Sequence, residues 1–315
     1  MKVRVANSRQ ETADITSYEL VAENETILPA FTAGAHIDVL LENGITRQYS
    51  LCNSSADRSR YVIAVLRDPN SRGGSQFIHQ SLRCGDTLVI GQPRNLFPLD
   101  YSAEHTVLFA GGIGVTPILS MAEELHRLGK SFEMHYSTRS KESTAFYEYI
   151  KKTEFQHKVI FHFDDQPHTH LDFPSALQVG QQGRHIYVCG PSGFIQYVLD
   201  IAAANCWSDK NLHREYFNAA ITSTGANEVF AIRIASTGAV FEVEAHESIV
   251  DVLQRNEVFV PVSCSEGVCG TCITRVLEGM PDHRDVFLTC SEREANDQFT
   301  PCCSRSKSPL LVLDL

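Results

Sequence analysis

The segment CSEGVCGTC places Cys264, Cys269 and Cys272 within nine positions at a C-x4-C-x2-C spacing. Zinc ribbons pair their ligands as C-x2-C units, and disulfide scaffolds belong to short secreted chains, so neither accounts for this pattern. The plant-type [2Fe–2S] loop has the same spacing and needs one more thiolate from farther along. Gly267 and Gly270 would let the backbone fold tightly around such a centre. Cys290, Cys302 and Cys303 are the candidates for the fourth ligand. The 29 residues between Cys272 and Cys302 match the plant-type separation and select Cys302. It is expected on a strand entering CSRSKSPLLVLDL, where alternation lets only one of the adjacent cysteines face the cluster. A zinc site or a set of buried free thiols is the plainer alternative, and the spacing with its interleaved glycines favours the cluster.

A second constellation lies in RQYSLCN. On a strand, Arg47 and Tyr49 share one face, while Ser50 falls on the other or uses its backbone, so one side can pin a phosphate and cover a planar ring. Downstream, Gly73 and Gly74 lead into a helix near Ser75, whose free N–H groups would meet an anion. A phosphate cradle beside an Arg-x-Tyr-Ser strand is what a flavin mononucleotide requires. A third lies in AGGIGVTPI. This is not G-x-G-x-x-G, because proline fills the third glycine position. Gly111, Gly112 and Gly114 still permit a tight turn, Thr116 is expected to cap the helix, and Pro117 suits its first position. A dinucleotide pyrophosphate would rest on that helix N-terminus. CGPSGF ends another apolar strand and puts Cys189, Gly190 and Pro191 at a carboxyl-end crevice. Arg139 in YSTRS could reach a 2′-phosphate, whereas Asp164 and Asp165 in FHFDD would repel one.

The elements that must hold these residues are legible in outline. At 315 residues, with 43% hydrophobic and 21% charged, the chain suits two or three globular domains. The net charge of −11 makes a nucleic-acid partner a poor fit. MKVRVANSRQ alternates like a strand and is no signal peptide, and no apolar run approaches the ~20 residues of a membrane span. A cytoplasmic protein without a membrane partner is the expectation, with its ten cysteines as thiols or metal ligands. Residues 1–100 show short strands, a hairpin turn at Asn43-Gly44 and one helical piece, QFIHQSL, which together predict an antiparallel β-barrel. Residues 101–222 alternate strand and helix, beginning with TVLFAGGIGVTPILSMAEELHRLG, and predict a mostly parallel α/β sheet. ITSTGANE, residues 221–228, is small and polar and is expected to be a linker. Residues 226–315 then carry a hairpin at Thr237-Gly238, the helix ESIVDVLQRN, the cysteine loop and closing strands, an α+β (β-grasp) pattern. This segment holds 14 acidic against 7 basic residues.

RQYSLCN, RGGS, AGGIGVTPI, YVCGP, REYF and CSEGVCGTC occur in the order found in the phthalate dioxygenase reductase family. The chain resembles that family over essentially its whole length, and within it the vanillate O-demethylase reductase branch. The resemblance implies an FMN barrel, a pyridine-nucleotide domain and a plant-type ferredoxin, in a chain that acts as the reductase partner of a Rieske non-haem iron oxygenase. It implies that Arg47, Tyr49 and Ser50 contact the flavin, that Ala64 and Val65 line its ribityl chain, and that Gly73, Gly74 and Ser75 hold its phosphate. It places Cys189 beside the nicotinamide and Phe217 against the flavin with Glu215 nearby. NADH is the cofactor that branch generally uses, and a monomer is expected.

The parts imply a mechanism. Nicotinamide delivers two electrons as hydride, an iron–sulfur cluster accepts one, and a flavin between them can do both. The acidic ferredoxin segment suits docking on a basic acceptor. A hydroxylase acting on its own substrate would need a Rieske or facial-triad site, and the 13 histidines show no C-x-H pattern; His168 and His170 fit a solvated loop. A redox sensor without turnover would leave the two upstream cofactor motifs unused.

Overall fold

The computed structural model describes residues 1–24, 27–42, 44–69, 73–177, 183–217 and 227–315. They form two compact units, residues 1–215 and 216–315.

The first unit opens with six strands, β1 (Lys2–Gln10), β2 (Ile15–Ala22), β3 (His36–Leu40), β4 (Thr46–Ser50), β5 (Tyr61–Leu66) and β6 (Thr87–Ile90), and one helix, α1 (Gly74–Ser81). The strands lie in the order β4-β3-β6-β1-β2-β5, every pairing antiparallel. Alternation sends Val3, Val5, Tyr18, Leu20, Ile37, Val39, Tyr61 and Ile63 into one core. The two ends of this order meet just past β4. The Cys52 amide donates to the Val62 carbonyl at 2.8 Å, and the Asn53 side chain accepts from the Val62 amide at 2.9 Å. The sheet therefore curls into the expected barrel. Asn43, the first half of the predicted turn between β3 and β4, lies outside the described residues, and Gly44 follows with φ +80°.

Five parallel strands follow: β7 (His105–Gly111), β8 (Ser131–Thr138), β9 (Val159–Phe163), β10 (Arg184–Cys189) and β11 (Leu212–Glu215). Their order is β11-β10-β7-β8-β9. The chain steps away from β7 in one direction, then returns to its other side, so the topological switch point lies at the carboxyl ends of β7 and β10. Helix α2 (Val115–Arg127) follows β7, and α3 (Ser192–Ala204) follows β10. Gly129, at φ +65°, ends α2 as expected, with the Lys130 amide donating to the Leu125 carbonyl. The start of α2 differs from expectation. A 3-10 turn over Gly112–Gly114 runs directly into the helix, so Thr116 already lies inside it. Its hydroxyl donates back to the Ile113 carbonyl at 3.1 Å and caps nothing.

Barrel and parallel sheet join through polar contacts. Ser120 on α2 donates to the Asn53 carbonyl at 3.0 Å. The buried Glu124 accepts from Ser55 at 2.8 Å and from Arg127 at 2.8 Å and 3.0 Å. The Tyr187 hydroxyl on β10 accepts from the Asp100 amide at 2.7 Å and donates to the Pro98 carbonyl at 3.3 Å.

The second unit contains β12 (Phe230–Ile234), β13 (Val240–Val243), α4 (Ile249–Arg255), β14 (Thr274–Glu278), α5 (Cys290–Ala295), β15 (Gln298–Phe299) and β16 (Leu310–Leu313). The strand order is β13-β12-β16-β14-β15, with β12 and β16 parallel and the other neighbours antiparallel. Phe230, Ile232 and Ile234 alternate into a core with Ile249, Val252, Leu253, Leu311 and Leu313. Ser248 caps α4 by accepting from the Asp251 amide, and the Asp251 carboxylate accepts from the Ser248 amide in return. The hairpin at Thr237-Gly238 forms, with Gly238 at φ +74°. The linker expected at 221–228 lies mostly outside the described residues. No helix among the described residues is long and apolar enough to cross a membrane.

Arg305 ties this unit together. Its buried guanidinium donates to the carbonyls of Glu247 at 2.7 Å, Glu228 at 3.0 Å and Glu244 at 3.0 Å, and lies over the Phe230 ring at 5.0 Å. Replacing Arg305 with methionine keeps the stem and strips three carbonyls of charged donors. The expected cost to the second unit is on the order of 3 kcal/mol. Thermal unfolding followed separately for each unit checks this: the second transition falls and the first stays in place.

Candidate functional site

The cysteine loop runs from Cys264 to Cys272 without regular structure and turns on left-handed residues, Ser265 at φ +58°, Gly267 at +73° and Gly270 at +65°. The two glycines are required by contact as well as by φ. A Cβ on Gly267 would stand 2.4 Å from the Cys303 sulfur and 2.9 Å from Asp285, and one on Gly270 would strike the Phe287 ring at 2.5 Å. The thiols converge. Cys302 is in hydrogen-bonding contact with Cys264 and Cys272, and Cys264 with Cys269. Backbone amides point at the sulfurs: Glu266 N–H lies 3.4 Å from Cys264 Sγ and Thr271 N–H 3.5 Å from Cys269 Sγ. Four converging thiols ringed by amide donors suit a [2Fe–2S] centre. Among the described residues no group of His, Cys, Asp and Glu is spaced to hold a single metal ion. A dinuclear centre makes a different demand, two thiolates to each iron.

The route to Cys302 needs correction. Cys302 and Cys303 lie in a turn, not a strand, closed by the Cys303 and Ser304 amides donating to the Thr300 carbonyl at 3.3 Å and 3.0 Å. Alternation therefore does not choose between them, and both sulfurs face inward. Cys302 is the one that touches the loop thiols, while Cys303 contacts Cys302 and the Thr300 hydroxyl, the latter at 3.3 Å. The side chain of Cys290, at the start of α5, lies outside the described residues. The other nine cysteines are free thiols.

In the barrel, Arg47 and Tyr49 on β4 pair with Val39 and Ile37. Arg47 lies across the start of α1, where a Cβ on Gly74 would stand 2.7 Å from its Cγ and Nε. Gly73, at φ +89°, is the N-cap and offers no side-chain cap of its own. Ser75 accepts the Asp68 amide at 3.3 Å, which leaves its hydroxyl proton available. Strand β4 and the α1 N-terminus thus meet as a guanidinium, free helix amides and a hydroxyl, a cradle with the chemistry of a phosphate site. Ala64 and Val65 are buried on β5. Val65 points into the barrel core, and its carbonyl is taken by the His79 ring at 3.0 Å.

At the crevice between β7 and β10 the backbones touch. A Cβ on Gly190 would stand 2.9 Å from Gly111 Cα, and one on Gly114 2.3 Å from the Cys189 carbonyl oxygen. On Gly112 it would meet nothing, so that side of the turn is open. Pro191 is exposed at the mouth, just before α3. Cys189 is wholly buried, and its thiol is raised well above the ordinary range by burial and then by the neighbouring Glu215. It is a packed, protonated thiol. Glu215 ends β11 directly beside Cys189 and hydrogen-bonds Ser50 at the end of β4. Its Oε2 is buried with no hydrogen-bond partner. An orphaned acceptor at the joint of barrel and crevice suits the polar edge of a flavin or nicotinamide ring. The structure thus brings Ser50, Cys189 and Glu215 together. Phe217 is half-buried two residues past β11. Arg139 is exposed after β8 and Asp164 and Asp165 after β9, while His168 and His170 are exposed as expected.

Sequence reasoning missed the wall behind the cysteine loop, Asp285 and Phe287. Its one signal was the glycine pair itself, since residues that forbid a side chain imply something pressed against them.

A family model described as a 2Fe-2S iron-sulfur cluster binding domain matches residues 232–307, and one described as the N-terminal domain of dimethylamine monooxygenase subunit DmmA-like proteins matches residues 92–212. The sequence is 52% identical to vanillate O-demethylase oxidoreductase of Pseudomonas putida, over 99% of this chain and 98% of that one. It is 41% identical to phthalate dioxygenase reductase of Burkholderia cepacia, over 100% and 97%. A solved phthalate dioxygenase reductase, described as a modular structure for electron transfer from pyridine nucleotides to [2Fe–2S], aligns with a TM-score of 0.77 at 41% identity, over 100% of this chain and 98% of that one.

Burial pushes the Glu215 carboxyl up to about 8, against the opposing pull of the Ser50 hydrogen bond. In the unfolded chain it would ionise near ~4.3. The folded protein therefore holds one more proton between those values. The stability this provides is present below the unfolded pKa and is lost as pH rises through 8. Glu215→Gln stays neutral and should remove that slope. Urea unfolding at pH 6 and pH 9 reads it out, with the wild type losing more stability than the variant; equal losses would mean that Glu215 does not titrate in this window.

Proposed function

The chain belongs to the family that contains vanillate O-demethylase oxidoreductase and phthalate dioxygenase reductase, and from that premise we propose that it is the NADH-oxidising reductase of a Rieske-type oxygenase. The observation that carries this is a single chain holding a four-thiol loop, a phosphate cradle and a dinucleotide crevice in which Glu215 meets Ser50. A bound flavin supplies conversion of a hydride pair into single electrons, and a [2Fe–2S] centre their delivery one at a time.

In this reading Arg47, Gly73, Gly74 and Ser75 anchor the single phosphate of FMN, and Tyr49 covers the ring. Ala64 and Val65 meet it through the backbone of β5. Gly111, Gly112, Gly114 and Thr116 form the turn for the pyrophosphate of NADH. Gly190 and Pro191 shape the nicotinamide end, with Cys189 as its packed floor. The Glu215 carboxyl holds a proton at neutral pH and is oriented by its hydrogen bond with Ser50. Cys264, Cys269, Cys272 and Cys302 ligate the cluster. The exposed Asp164 and Asp165 at the end of β9 favour NADH over NADPH by repelling a 2′-phosphate. We place the domains at 1–100, 101–222 and 226–315, in a monomer. The 14 acidic residues of the last domain steer it towards a basic patch on the oxygenase.

Anaerobic NADH should bleach flavin and cluster together, and adding vanillate O-demethylase oxygenase with vanillate should restore both colours on exposure to oxygen. Flavin released by heat should run as FMN, about one per chain; FAD would overturn the cradle. Cys302→Ser should abolish the EPR signal of the reduced cluster while Cys303→Ser keeps it, and the opposite pattern would reassign the ligand. Flavin reduction without turnover on any acceptor would favour a redox sensor.

A further inference from the structure

Behind the cysteine loop lies a buried charge pair. Asp285 packs against Gly267, and the Val286 amide donates to the Gly267 carbonyl at 3.1 Å. The Asp285 side chain is 0% exposed. Its Oδ2 accepts the Leu288 amide at 2.7 Å and lies 3.8 Å from the Arg293 guanidinium, which also donates to the Asp285 carbonyl. Its Oδ1 has no hydrogen-bond partner among the described residues; His283 Nδ1, itself unpartnered, stands 3.9 Å away. Two other charges of this segment are engaged elsewhere. Arg284 is held by Asp282 and Asn227 at 2.8 Å each, and Glu292 caps α5.

A carboxylate with one oxygen uncompensated and no solvent around it projects its field far better than a surface charge. Arg293, 35% exposed, offsets that field from a wetter position. The potential of an iron–sulfur centre responds to nearby charge and to solvent access.

We propose that Asp285 and Arg293 set the reduction potential of the cluster held by Cys264, Cys269, Cys272 and Cys302, Asp285 lowering it and Arg293 raising it. This rests on the ligand assignment above. The added electron meets a negative charge directly behind Gly267, so removing that charge eases reduction, and removing the cation hinders it.

The test is an anaerobic redox titration of the full-length, cluster-loaded protein, followed by the EPR signal of the reduced cluster, with iron and sulfide assayed per chain. Asp285→Asn should shift the midpoint upward and Arg293→Met downward, with the double variant between them. Both shifts should persist at high salt, because a buried charge is little screened, whereas the exposed Glu294→Gln should give a smaller shift that salt removes. Loaded variants with unmoved midpoints, or with shifts of the same sign, would overturn the proposal, the latter marking a disturbed loop. If Asp285→Asn fails to load the cluster, the sign of the Arg293→Met shift decides. A wild-type chain with no cluster signal would instead refute the ligand assignment.

Discussion

A hydrogen bond between Ser50 and Glu215 joins the end of a barrel strand to the end of a strand in the parallel sheet. Much of the first unit follows from keeping that contact dry. A carboxyl removed from water stays neutral only while water stays out, so the two sheets must be locked against each other nearby. Ser120 on Asn53, Ser55 on Glu124, and Tyr187 between Asp100 and Pro98 supply the lock. Each uses a directional polar contact, which fixes the angle between barrel and sheet in a way that apolar packing alone would not.

The crevice and the cysteine loop solve a common problem by opposite means. Both need backbone closer to its surroundings than a side chain would allow. At the crevice, Gly111 and Gly190 let two strand ends meet, and Gly112 leaves one side of the turn open. In the loop, Gly267 and Gly270 lean on Asp285 and Phe287, so the thiols are gathered from outside by a second wall. One arrangement admits a visitor and the other retains a resident.

What the sequence made legible was local. The C-x4-C-x2-C spacing, the β7 turn and the Gly129 stop are set by neighbours a few residues apart, and they stand where pattern reasoning put them. Thr116 was misjudged because a 3-10 turn over Gly112–Gly114 lengthens the helix backwards, and residue preference cannot foresee that. The two adjacent cysteines were expected on a strand, but hydrogen bonds to the Thr300 carbonyl make a turn there and remove the alternation rule. Arg305 reaches carbonyls at Glu247, Glu244 and Glu228, and Asp285 stands behind a loop that begins some twenty positions earlier. No spacing rule reports contacts at that range.

The strand order of the second unit bears on how this protein is made. Strand β16 sits in the middle of its sheet, between β12 and β14, yet it is the last of the five to leave the ribosome. Cys302 emerges only shortly before it. Until then, β12 and β14 have no partner between them, and the loop thiols lack their contact with Cys302. Synthesis proceeds from the N-terminus, so the barrel and parallel sheet can be complete while this unit is still an open chain. The four thiols can therefore converge only after Cys302 has been made, when the barrel and parallel sheet can already be folded.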